Sequence, residues 1–152
     1  MRALALMLFA ALLATGVPAS AATYGTRDEA VAMVKRVQAE FKKVGAQATF
    51  KEVSDKSTPA FHDRDLYPFI YNLSGICVAH GARPALIGRN LIDLKDQDGK
   101  YLIREMVAIA KGKGDGWIDY KWPNPLNNKI EDKSSYIERM GNYFVGVGIY
   151  KQ

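Results

Sequence analysis

The 152-residue sequence predicts an α+β domain. Two observations carry that expectation. Apolar residues recur at helical spacing in two well-separated stretches, and the period changes to two in segments joined by turns that bear Gly, Pro or Asn. Strands adjacent in sequence through short turns make an antiparallel sheet, which the helices must cover.

The first helix opens at Thr26, a candidate N-cap, with Asp28 and Glu29 in its first turn, where the helix dipole favours negative charge. Ala30, Val31, Met33, Val34, Val37 and Phe41 form its apolar face, and Val44-Gly45 ends it. A short second helix is expected from Gln47 to Val53, followed by a polar loop from Ser54 to Asp65. Leu66 to Tyr71 and Ile76 to His80 read as a hairpin around Asn72-Leu73-Ser74-Gly75. Pro68 cannot donate a ladder hydrogen bond and suggests an edge position. The connection from Gly81 to Gly99 carries little repetitive pattern. An amphipathic helix from Lys100 to Lys111 follows, closed by a Gly-rich stretch. Three strands complete the order: Trp117 to Trp122, Ser134 to Met140 and Tyr143 to Tyr150.

The N-terminus is of another kind. Arg2 precedes an apolar run from Ala3 to about Ala14, and Ala19-Ser20-Ala21 places small residues where signal peptidase needs them. Residues 1–21 are therefore expected to be a cleavable signal peptide, leaving 22–152 as one domain in the periplasm or outside the cell. The apolar core of about a dozen residues is short of the roughly 20 that span a bilayer. The chain's formal charge of +5 falls to +4 when Arg2 leaves with the signal, and it is spread without a basic run, which argues against a nucleic-acid partner. Cys77 is the sole cysteine and reads as a small buried hydrophobe.

Catalytic motifs are missing. His62 and His80 fall in no zinc spacing, and no GxSxG, P-loop or GxGxxG occurs. Cys77 and His80, three apart on a strand, should project to opposite faces and so form no nucleophile pair. The stretch Asp93 to Gly99 resembles a calcium loop superficially, but Arg104 stands where a bidentate Glu belongs, and a solvated turn is the plainer reading. No catalytic residue, metal site or cofactor is expected.

An aromatic and basic set remains. Tyr67, Phe69 and Tyr71 share one strand parity, Trp117, Tyr120, Lys121 and Trp122 occupy another strand, and Lys133 to Tyr136 begin a third. Such a set can wall a small-molecule pocket, in which a buried cation would favour a carboxylate. It can equally be a sheet face packed on helices, and alternation forbids all of these residues from sharing one side.

Four segments carry a family likeness: DLYPFIYNLSGICVAHG (Asp65–Gly81), LIGRNLIDLKDQDGKYLIREMV (Leu86–Val107), GWIDYKWPNP (Gly116–Pro125) and KSSYIERMGNYFVGVGIYK (Lys133–Lys151). In order and spacing they resemble single Cache domains, the extracytoplasmic sensor domains of bacterial chemoreceptors and sensor kinases. The resemblance implies a PAS-like antiparallel sheet of about five strands with a long N-terminal helix, and a ligand-binding module rather than an enzyme. It implies a small organic acid as ligand, its carboxylate meeting Lys133 and His80, with Tyr67, Phe69, Tyr71, Trp117, Tyr120 and Tyr136 as walls. Receptors of this kind continue into a second membrane helix and an output module, whereas this sequence ends directly after the last strand. That contrast suggests a free periplasmic binder working through a membrane kinase or chemoreceptor; an interaction module without a ligand is the alternative.

Overall fold

A computed structural model describes residues 23–151; the signal-peptide expectation lies outside them. Helix α1 (Arg27–Val44) starts where the capping residues place it. Thr26 Oγ1 accepts from the Glu29 backbone N–H, and the Glu29 carboxylate accepts from the Thr26 N–H at 2.7 Å. This reciprocal box satisfies two donors that a helix start otherwise leaves free. Ala30, Met33, Val34 and Val37 form the buried face. Gly45, at φ +83°, turns the chain directly into α2 (Ala46–Ser54), a conformation that glycine adopts without strain.

Five antiparallel strands follow the expected order: β1 (Pro68–Asn72), β2 (Cys77–His80), then, after α3 (Leu102–Lys111), β3 (Asp115–Pro123), β4 (Ile130–Met140) and β5 (Tyr143–Tyr150). In space they run β2-β1-β5-β4-β3. Pro68 is thus not at an edge, because β1 is flanked by β2 and β5. It is tolerated as the first residue of its strand, where its carbonyl still accepts from the Gly81 N–H.

Helices α1 and α2 cover one face through Ile70, Ala79, Val145, Val147, Tyr136 and Met140. Helix α3 and the long connection cover the other, over Phe69, Tyr71, Cys77, Tyr120, Ile137 and Phe144. The connection also shields both sheet edges. Its Gly88 N–H and Arg89 carbonyl bond Cys77 on β2, while the Asp96 carboxylate accepts from the Lys121 N–H of β3 at 3.0 Å. The stretch Asp93 to Gly99 is therefore a turn that also caps an edge strand.

One local irregularity matters for the site. Between the pairs Ile70–Ala79 and Tyr71–Cys77 the register shifts, leaving Val78 as an extra residue on β2. This bulge resets the alternation. Cys77 and His80 consequently face the same side of the sheet, contrary to the expectation from simple strand parity.

Candidate anion pocket beneath helix α3

The residues that project toward α3 are those of one parity on each strand. On β4 they are Lys133 and Ser135, on β3 Tyr120 and Trp122, and on β1 Phe69 and Tyr71, preceded by Tyr67. His80 closes the β2 side and Tyr150 the end of β5. Six of the eight expected residues, Tyr67, Phe69, Tyr71, His80, Tyr120 and Lys133, meet on this face. Trp117 and Tyr136 do not, since an odd spacing from Tyr120 and Lys133 turns each to the α1 face. There the rings pair at 5.5 Å between centroids, the Arg27 guanidinium lies 3.6 Å from the Trp117 ring centroid, and the Tyr136 hydroxyl donates to Asp115.

Lys133 is the centre of the arrangement. Its side chain is fully enclosed, at 0% exposure. Nζ donates to Tyr67 Oη at 2.8 Å and sits 4.0 Å from the Tyr67 ring centroid and 4.9 Å from that of Tyr150. The hydroxyl protons beyond it are fixed by elimination. Tyr150 Oη donates to the Pro123 carbonyl at 2.7 Å, so Tyr67 Oη, which already accepts from Lys133, donates to Tyr150 Oη at 3.2 Å. The relay runs from the lysine amine to tyrosine to tyrosine to carbonyl, and each oxygen is used. Burial drives the Tyr67 hydroxyl up to about 12 and raises that of Tyr150 as well, so both remain donors.

No carboxylate among the described residues forms an ion pair with Lys133. Asp65, also fully buried, is near enough to act through its charge, but its oxygens are committed to backbone. One accepts from the Gly25 N–H at 2.6 Å and the other from the Tyr150 N–H at 3.3 Å. Burial therefore dominates Lys133 and pushes its pKa down to about 7, with Asp65 pulling partly back.

His80, 2% exposed, stacks on Phe69 with ring centroids 6.1 Å apart. Its Nδ1 accepts from the backbone N–H groups of Ala82 and Arg83, at 3.2 and 3.0 Å. Two donors on one nitrogen leave the proton on Nε2, which has no protein partner among the described residues. Burial first, and then the charges of Lys133, Arg83 and Lys56, hold the ring neutral, with a pKa of about 3.

Phe69, Tyr71, His80, Tyr120 and Trp122 line a small hollow with Leu102, Ile103 and Met106 of α3, and neither Lys133 nor Tyr67 is part of its lining. It measures about 10 Å³, which is room for about one water. A hollow of that size is too small for a carboxylate.

Sequence reasoning passes over Asp65 and Tyr150, and gives Ser135 and Trp122 a place in the aromatic and basic set without a role in the site. It also misses Gly146 and Gly148. A Cβ at Gly148 would overlap Ser135 Oγ and stand 2.5 Å from Lys133 Cε, and one at Gly146 would overlap the Phe69 ring. These two glycines flatten β5 so that the lysine and the phenylalanine can lie across it. Their two-residue spacing opposite Ser135 and Ile137 was the available signal.

Under one helix of this α+β sheet the described residues bury a lysine without an ion pair, a neutral histidine and tyrosine hydroxyls. A Cache domain family model matches residues 26–152, and the chain belongs to the Cache domain family. Sensor histidine kinase MctS of Rhizobium johnstonii is 32% identical over 118 residues, which make up 75% of this chain and 25% of the kinase. Methyl-accepting chemotaxis protein McpP of Pseudomonas putida is 33% identical over 91 residues, 59% of this chain and 17% of that protein. The chain thus spans a quarter or less of the length of these relatives. Among solved structures, a methyl-accepting chemotaxis protein of Vibrio parahaemolyticus superposes with a TM-score of 0.70 at 28% identity, covering 82% of this chain and 87% of its own. A Cache chemosensory domain described for carboxylic acid recognition superposes at 0.66 with 26% identity, covering 82% of this chain and 88% of its own. The fold and family are those of the sensory domains of chemoreceptors and sensor kinases.

Proposed function

We propose that the domain binds a small carboxylate and that the bound state is read by a membrane-embedded sensor kinase or chemoreceptor. The observation that carries this reading is Lys133, a fully buried amine with no ion pair among the described residues. Burying an ammonium without a partner costs several kcal/mol, which drives the amine toward its neutral form until an anion arrives to offset that cost. Nε2–H of His80 supplies a second donor on the same face, and the aromatic and α3 side chains would hold a short alkyl tail. The carboxylic acid recognition ascribed to one structural neighbour agrees with this chemistry. The role is sensory rather than enzymatic: burial drives the Cys77 thiol up to about 11, which leaves it a poor nucleophile. The matches to a sensor kinase and a chemoreceptor support a membrane partner. An exported, soluble form beginning at Ala22 agrees with the signal-like residues 1–21, and no helix among the described residues is long and apolar enough to cross a membrane.

Calorimetric titration of the exported protein with acetate, propionate, pyruvate and lactate tests the ligand. Saturable binding of at least one, abolished in Lys133→Met, is expected; silence with all four contradicts the proposal. The near-absence of empty volume favours a second reading, an interaction module without a ligand. That reading predicts no thermal shift with any acid, together with co-purification of a membrane protein.

A further inference from the structure

We propose that an anion binding beside Lys133 draws one proton from solvent onto the lysine amine, so that ligand affinity falls as pH rises through neutrality. This rests on the carboxylate reading above and concerns the protonation of the site.

The geometry supplies the reason. Among the described residues Nζ has one hydrogen-bond partner, the Tyr67 hydroxyl oxygen, and the rings of Tyr67, Phe69 and Tyr150 lie around it. The groups facing the amine come from every element around it. Tyr120 on β3 is neutral and engaged with Ser135 at 2.8 Å, and Tyr150 on β5 is neutral and engaged with Pro123. His80 on β2 is held neutral by its two backbone donors, and Arg83 just beyond it adds positive charge. Leu102, Ile103 and Met106 of α3 are apolar. The carboxyl group of Asp65, the acidic side chain that acts on the amine among the described residues, already holds two backbone N–H groups. An empty site therefore favours the neutral amine. A carboxylate arriving within contact reverses the balance, because it stabilises only the ammonium form. The proton goes to the Nζ lone pair, and the bound state is the ion pair of ammonium and carboxylate. Burial places the empty-site amine near pH 7, so the coupling falls in the range where cells work.

The test is calorimetry of the full exported protein with acetate, which is ionised throughout, in buffers of different ionisation enthalpy. Uptake close to one proton per acetate is expected at about pH 8, little at about pH 6, and affinity should fall roughly a hundredfold between about pH 6 and 9. Acetate binding with no proton uptake and a flat pH profile overturns the proposal and leaves the carboxylate reading intact. No binding of acetate, propionate, pyruvate or lactate at any pH overturns both. Proton uptake that persists in a folded Lys133→Met variant places the proton elsewhere and also overturns it.

Discussion

At Lys133 function and stability oppose one another. The amine ordinarily titrates near 10.5 and is pushed down to about 7 in the fold. Between those values the unfolded chain holds a proton that the native state has released, so native stability rises with pH across that window. Thermal melts of the ligand-free domain should therefore gain melting temperature from about pH 7 to 9, the range below that in which tyrosines begin to ionise. A flat or falling profile would contradict the burial of this amine. Lys133→Met removes the buried charge at similar length and should raise the melting temperature at about pH 7 while abolishing acid binding, since a buried ion replaced by a packed apolar group is often stabilising. At Gly148 the constraint is steric. Gly148→Ala sets a methyl against Ser135 Oγ and Lys133 Cε, and should cost about 1–3 kcal/mol by denaturant unfolding, with weakened acid binding. An unchanged midpoint would mean that the lysine stem has room to move.

Among the elements, α3 sets the size of the pocket. Met106 lines the void and is itself buried. Met106→Ala should cost roughly 2–4 kcal/mol and shift preference from acetate toward longer acids, because it opens space where about one water now fits. A calorimetric series of straight-chain acids reads the shift; an unchanged order of affinities would move the ligand tail away from α3. The helices were legible from the sequence because their periodicity is unbroken and Thr26 announces the start of α1. The strands were legible in number and order, and less so in detail. Pairing extends β4 back to Ile130, through residues with no apolar alternation of their own, because β3 lies alongside from Asp115 to Pro123. The Val78 bulge left no mark in composition, yet it decides that Cys77 and His80 share a face. Parity alone could have separated Trp117 and Tyr136 from the pocket, since each stands three residues from a member of the set. Asp65 was beyond reach, because its role lies in hydrogen bonds to residues 40 and 85 positions away.

For the whole molecule, the pocket and the two ends of the fold are joined through Asp65, which holds Gly25 just before α1 and Tyr150 at the end of β5. If the proposed carboxylate binds beside Lys133, its charge reaches a cluster that includes both ends of the described domain. In the sensory role proposed, the exported protein should begin at Ala22, as intact-mass spectrometry of periplasmic material would show; retention of residues 1–21 would make it an anchored domain instead. The proposed function depends most directly on where a carboxylate sits. A crystal structure of the exported domain grown with acetate should place the carboxylate within hydrogen-bond distance of both Lys133 Nζ and His80 Nε2, with α3 displaced outward. Acetate bound elsewhere, or an unchanged closed pocket at saturating acetate, would contradict it.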